Sequence, residues 1–199
     1  MSSVPSRLAD DPVAVQTSWE PLKGGGANFK TRRLVAVDAS RLEFPATWGV
    51  RLFGIVFAIA GLAASAGAAA AGMWPFILFG LVFVAVGVAL WRYGTTPVVF
   101  DRRQDAFWRG RTAPIEVRNR AELKHYAPLG DIHALQIVRE HLSSKNGSYW
   151  SFELNLVLRD GRRLNVMDHG DYDALRRDAD TLAEFLGRPV WDSVGGSLD

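Results

Sequence analysis

The residues best suited to acid–base or metal chemistry form one cluster, Asp168-His169-Gly170-Asp171. The cluster ends a predicted strand and precedes a predicted helix, which is a place where side chains converge. An aspartate beside a histidine can bind a metal ion or orient the imidazole as a general base. The alternative is helix capping, in which Asp168 or Asp171 accepts hydrogen bonds from the first backbone amides of the helix. We favour capping, because aspartate is among the commonest residues at helix starts.

The other histidines do not point to a shared metal site. His133 and His141 are eight residues apart on one predicted strand, a separation of about 26 Å, and His125 is isolated. The chain has no cysteine, which excludes disulfides and cysteine-ligated zinc. It also lacks the GxSxG, P-loop, HExxH and Rossmann patterns. We therefore predict that the protein is not an enzyme and has no catalytic, cofactor-binding or metal-binding residues.

A second group of polar residues lies on two strands joined by the turn Asp160-Gly161. In the strand from Tyr149 to Arg159, apolar and polar residues alternate, so one face is buried and the other is wet or contacts a partner. The polar face is either a recognition surface for a peptide or an anionic head group, or a solvated face with cross-strand pairs, which we favour. The candidate partner surface comprises Glu153, Asn155, Arg163, Asn165, Asp168 and His169.

The most distinctive feature of the sequence is the absence of charge from Leu52 to Trp91. Residues 52–71 and 73–91 form two apolar runs, each long enough for a helix that spans the hydrocarbon core of a bilayer. Gly72 alone separates them, so the helices must be antiparallel and in contact. We therefore predict an integral membrane protein with a transmembrane hairpin over residues 49–93, whose immediate environment is the lipid bilayer.

Small residues recur at intervals of four and three along these helices, which puts them on one face and lets two backbones approach closely. They serve packing within the hairpin, the interpretation we favour, or a homodimer contact. No ionisable residue lies inside either span, so a pump, carrier or selective channel is not expected. The predicted packing face comprises Gly54, Ala58, Gly61, Ser65, Ala68, Gly80 and Gly87.

Basic residues flank the hairpin on both sides, and the connecting turn has no charge. The positive-inside rule then puts both termini in the cytoplasm, with the hairpin in the bacterial inner membrane. The net charge of +2 is too small to indicate nucleic-acid binding.

The rest of the chain predicts about seven short strands and one C-terminal amphipathic helix from Tyr172 to Leu186, with Asp171 as N-cap and Gly187 as the stop. The predicted fold class is membrane α+β, with the hairpin inserted in a small antiparallel β domain. The predicted segments are a disordered N-terminal segment (1–27), the first strands of the cytosolic domain (28–47), the hairpin, the remainder of that domain (96–192) and a tail (193–199).

This order of elements resembles the pleckstrin-homology-like (PH-like) domains of bacterial membrane proteins, in which a transmembrane hairpin precedes or interrupts the strands. Within residues 17–192, the segments SWEPL, GGANFKTRRL, FELNLVLRDGRRLNVMDHGD and FLGRPVWD are similar to an uncharacterised family of bacterial two-span membrane proteins. The resemblance implies topology and a PH-like domain, and it implies no activity.

Three hypotheses of function follow. The first is a non-enzymatic inner-membrane protein whose cytosolic domain binds a protein partner or the membrane surface, in an assembly or regulatory role. The second is an immunity protein that neutralises a membrane-active toxin by pairing with it in the bilayer. The third, which we rank last, is a hydrolase that uses Asp168 and His169.

Overall fold

The structure is a computed structural model of the chain. It divides into two compact units, a helical unit from Pro45 to Pro97 and a sheet unit made of Met1–Phe44 and Val98–Asp199. The residues described are 4–22, 24–26, 31–119, 123, 125–144 and 147–194.

The helical unit is a pair of apolar helices, α2 from Trp48 to Ala70 and α3 from Trp74 to Gly94. Gly72 makes the turn between them with a φ of +69°, a conformation that side chains disfavour. Both helices are long and apolar enough to cross a membrane. The predicted pair of apolar helices is therefore confirmed.

The first sheet of the sheet unit is an antiparallel meander in the order β1-β2-β3-β4-β5. The helices enter the chain between β2 and β3, as predicted, although these two strands pair directly, with Phe44 opposite Val98. The strands are β1 (Val35–Asp38), β2 (Arg41–Phe44), β3 (Val98–Asp101), β4 (Ala106–Arg109) and β5 (Tyr126–Pro128).

The second sheet has the order β8-β7-β6-β9, and β9 is parallel to β6. The β domain is therefore not wholly antiparallel, and the described residues contain nine strands, not seven. β5 and β9 were missed because a three-residue strand has no periodicity of its own. The strands are β6 (Ile132–Ser144), β7 (Gly147–Leu158), β8 (Arg163–His169) and β9 (Val190–Asp192).

The main core lies between the two sheets and helix α4, which spans Tyr172 to Leu186 as predicted. Leu175 and Leu182 of α4 are fully buried there with aromatic rings of the first sheet and aliphatic side chains of the second. The Asp192 carboxylate then ties β9 to α4, because it accepts hydrogen bonds from the Tyr172 hydroxyl and the Arg176 guanidinium.

The prediction of disorder for residues 1–27 is wrong for the part that the structure describes, residues 4–22 and 24–26, which we call the N-terminal arm. Its helix α1 (Pro12–Gln16) starts at Asp11, whose side chain accepts hydrogen bonds from the first backbone amides. Trp19 of the arm stacks on Trp191 of β9 at 5.9 Å between ring centroids, in a second core on the outer face of the second sheet. The arm is polar on average, and its few apolar residues are enough to fix it.

The remaining predicted segments lie partly outside the described residues. Within the predicted first-strand segment, β1 and β2 lie between Val35 and Phe44, and residues 28–30 lie outside the described part. Of the predicted tail, Ser193 donates its backbone N–H to the Ile137 carbonyl at 3.1 Å, and residues 195–199 are outside the described part.

Candidate functional site

A row of polar side chains crosses the outer face of the second sheet. Gln136 of β6 lies opposite Asn155 of β7, which in turn lies opposite Asn165 of β8. The register then shifts by one residue at a β-bulge, so that Asp168 lies opposite Glu153. Five members of the predicted partner surface therefore share one face. Alternation puts Glu153 beside Asn155 and Arg163 beside Asn165, and the bulge brings Asp168 to the same face.

The sixth member, His169, lies on the other face of β8, opposite Phe152. Its side chain is buried, and its Nδ1 accepts a hydrogen bond from the Asp171 backbone N–H at 2.8 Å. Asp168 and His169 thus project from opposite faces of one strand. This arrangement does not suit the joint action on one substrate that the hydrolase hypothesis requires.

Asp171 is the N-cap of α4, since its carboxylate accepts the Ala174 backbone N–H at 3.0 Å. That hydrogen bond is the main reason that the pKa of Asp171 is below its usual value. The preferred interpretation of the Asp168–Asp171 cluster as capping chemistry is therefore confirmed for Asp171. Among the described residues, no group of three or more His, Cys, Asp or Glu side chains is arranged to hold a metal ion.

The N-terminal arm covers the polar row. The predicted solvent-exposed or partner-binding face is therefore buried beneath a segment of the same chain. The Leu22 backbone N–H lies 3.0 Å from each carboxylate oxygen of Glu153. The Gln136 side-chain amide donates to the Ser18 carbonyl at 3.0 Å. Arg163 donates to the Glu20 carbonyl at 2.7 Å. These side chains bind backbone groups of the arm, which is how the sheet fixes a segment with little secondary structure of its own.

Asn165 belongs to a buried network that reaches the first sheet. Arg109 of β4 donates to the Asn165 side-chain oxygen at 3.1 Å and to the Val166 carbonyl at 2.8 Å. Asn165 in turn donates to the Asp168 carboxylate at 3.0 Å. Burial lowers the pKa of Arg109, and the Asp168 charge opposes that effect.

A second buried cation, Arg32, lies close to this network and donates to the Phe44 carbonyl at 3.0 Å. Burial and the positive charge of Arg109 lower the pKa of Arg32 to about 10. Sequence reasoning missed both arginines as members of the site, because they are far apart in the chain and belong to no motif. Their hydrogen bonds to backbone carbonyls show that they join chain segments.

His133 and His141 lie in different surroundings on β6. His133 Nε2 lies 2.9 Å from the Asp11 carboxylate of the arm. The His141 ring lies 4.6 Å from the Trp150 ring on the neighbouring strand.

The predicted packing face of the helices is used inside the hairpin. A Cβ atom on Gly61 would lie 2.6 Å from the Gly80 carbonyl oxygen, and one on Gly87 would lie 2.5 Å from the Ala58 backbone nitrogen. Ser65 Oγ donates to the Ile77 carbonyl at 3.1 Å. The intramolecular interpretation, preferred over a homodimer face, therefore accounts for this pattern. Gly54, Gly61, Ser65, Ala68, Gly80 and Gly87 are buried in the hairpin, and Ala58 is half-buried beside Gly87.

No protein-family model matches the chain. No curated protein matches it at a significant level either. The similarity to two-span membrane proteins and to PH-like domains therefore stays a prediction.

Proposed function

We propose that the chain is an integral protein of the bacterial inner membrane, in which α2 and α3 cross the bilayer and the sheet unit is a cytoplasmic binding module without catalytic activity. Its role would be assembly or regulation, through a protein partner or the membrane surface.

The observation that carries this proposal is the distribution of side chains in the helical unit. Small residues fill the contact between the helices, whereas large apolar side chains point away from it and are exposed. A helix pair in a soluble core has the opposite arrangement, with its large apolar residues inside. Each large apolar side chain that leaves water for lipid contributes roughly 1.5–3 kcal/mol. The exposed residues include Phe53, Val56, Ile59, Leu62, Phe76, Leu78, Phe79 and Val82.

Residues at the helix ends support the proposed orientation. Arg51 lies in the first turn of α2 and Arg92 in the last turn of α3, at the ends joined to the sheet unit, whereas the turn at Gly72 has no charge. This is the asymmetry that the positive-inside rule associates with a cytoplasmic location of both ends. The aromatic residues at the ends of the helices, Trp48, Trp74, Trp91 and Tyr93, are exposed, as expected for anchors at the membrane–water interface.

The alternatives receive less support. The toxin-neutralising hypothesis depends on a small-residue face that can pair with another protein in the bilayer, and in the hairpin that face contacts the neighbouring helix. The hydrolase hypothesis depends on Asp168 and His169 acting together, and these side chains lie on opposite faces of β8. Neither hypothesis is favoured by a specific observation.

Alkaline carbonate extraction of membranes from cells that express the full chain tests the proposal. We expect the chain to stay in the membrane pellet. Val82 is exposed near the middle of α3, so Val82→Arg places a charge near the bilayer centre at a cost of about 2.5–3.5 kcal/mol. This variant should increase the extracted fraction, and the matched variant Val82→Leu should not. Complete extraction of the unmodified chain would refute the membrane proposal.

A further inference from the structure

The hairpin of β6 and β7 extends beyond the rest of the second sheet. β8 pairs with β7 from Phe152 to Val157, and β9 pairs with β6 from Leu135 to Ile137. Residues 139–144 and 147–151 therefore form a two-stranded extension, which we call the β6–β7 ribbon. Among the described strands, neither β8 nor β9 pairs with the ribbon.

One face of the ribbon is occupied by the N-terminal arm. The Glu140 carboxylate accepts the backbone N–H groups of Gly25 and Gly26 at 3.3 and 3.2 Å. The Tyr149 hydroxyl donates to the Gly26 carbonyl at 3.2 Å. Glu140 is the only acidic residue from Arg139 to Phe152, so the negative charge of the ribbon is held on this face.

The opposite face of the ribbon is open, aromatic and cationic. The Arg139 guanidinium lies 5.2 Å from the centroid of the Trp150 ring, and the His141 ring lies 4.6 Å from the same ring. All three side chains are exposed, and Trp150 is 47% accessible.

We propose that this open face binds the anionic lipid surface of the bilayer, an inference that rests on the proposed membrane anchorage. Indole rings favour the membrane–water interface, and each Arg or Lys near an anionic leaflet contributes about 1 kcal/mol. The face has no acidic residue to oppose that attraction. The connectors 45–47 and 95–97 are three residues each, so the helices tether the sheet unit and raise the effective concentration of lipid around it.

The absence of cysteine allows single-cysteine spin labelling of the full chain in lipid nanodiscs. Ser148→Cys puts a nitroxide on the open face, since Ser148 is exposed and lies on the same face of β7 as Trp150. Thr181→Cys, on the exposed side of α4, is the aqueous control, and Val82→Cys reports on α3 in lipid. The readout is collision of each label with oxygen and with a water-soluble nickel complex.

We expect the label at position 148 to be shielded from nickel in discs that contain phosphatidylglycerol, and exposed in discs of phosphatidylcholine alone. Arg139→Gln should reduce the ratio of bound to free ribbon about fivefold, which corresponds to ~1 kcal/mol. Trp150→Ala should reduce it as well, and circular dichroism of both variants checks that they fold.

Three results would overturn the inference. In the first, the label at position 82 is in lipid, and the label at position 148 is as accessible to nickel as the aqueous control at position 181. The ribbon then does not bind lipid, although the membrane anchorage stands. If the label at position 148 is equally shielded with and without phosphatidylglycerol, recognition of anionic lipid is wrong. If the label at position 82 is itself exposed to nickel, the proposed membrane anchorage fails and the inference fails with it.

Discussion

Substituting Gly61 by alanine tests whether the two apolar helices are held together by close backbone contact. The new Cβ would lie 2.6 Å from the Gly80 carbonyl oxygen and 2.7 Å from the Val84 backbone nitrogen, whereas ordinary contacts begin near 3.4 Å. The helices must therefore separate by several tenths of an ångström, and overpacking of this kind costs about 1–3 kcal/mol. The higher helix propensity of alanine offsets up to ~1 kcal/mol of that cost.

Gly67→Ala is the matched control, because Gly67 lies in the same helix and a Cβ there would meet nothing within 4 Å. The difference between the two variants removes the propensity contribution and leaves the packing cost of about 1–3 kcal/mol. The assay is an SDS titration of the full chain in mixed micelles, read by energy transfer between dyes on Ile55→Cys and Leu90→Cys, both at exposed positions. If Gly61→Ala and Gly67→Ala change the free energy of unfolding equally, close backbone contact at Gly61 does not hold the two helices together.

Two further predictions concern the sheet unit. Trp19→Ala removes the stack on Trp191 and should lower the free energy of unfolding in detergent by about 3–5 kcal/mol. The control Val15→Ala, at an exposed position of the same arm, should change it by less than ~0.5 kcal/mol. Equal effects of the two substitutions would show that Trp19 does not anchor the arm. Burial and the hydrogen bond to Asp192 raise the pKa of Tyr172 to about 12, so its contribution to stability is fully present below pH 10.0 and is lost as the pH rises through about 12. An ultraviolet phenolate titration should show a late tyrosine in the unmodified chain and an earlier one in Asp192→Asn. A late tyrosine that is missing from the unmodified chain, or that is unchanged in Asp192→Asn, would contradict the assignment to Tyr172.

The parts of the fold that the sequence predicts are those whose signals are local. The uncharged runs on either side of Gly72 predict both apolar helices. The stripe from Leu175 to Leu186 predicts α4, and its bounds are as expected because Asp171 and Gly187 supply start and stop signals. The Asp160-Gly161 turn likewise predicts the pairing of β7 with β8.

The parts that could not be predicted depend on long-range contacts. β9 forms because Val190 to Asp192 find the free edge of β6, and three residues carry no period. The arm is ordered because Trp19 finds Trp191, a contact between two ends of the chain. Alternation along β7 identified the polar face. It could not show that the N-terminal arm covers this face, because that contact also joins distant parts of the chain.

The candidate site shows the same division. Parity along the strands correctly grouped Glu153, Asn155 and Asn165 on one face. It could not place Arg109 and Arg32 beside them, because β4 and the segment before β1 are distant in sequence. Burial of those arginines changes the interpretation from an open recognition surface to an internal network, and the exposed ribbon becomes the better candidate for binding.

The most direct test of the central claim is labelling of single cysteines in intact cells with a maleimide that does not cross the inner membrane, applied from the periplasmic side. Ala71→Cys, next to the turn of the hairpin, should be labelled in cells with a permeabilised outer membrane. Thr181→Cys, on the exposed side of α4, should be labelled only after the inner membrane is also opened. Labelling of Thr181→Cys before that step, or protection of Ala71→Cys throughout, would contradict a hairpin that crosses the membrane with both ends in the cytoplasm.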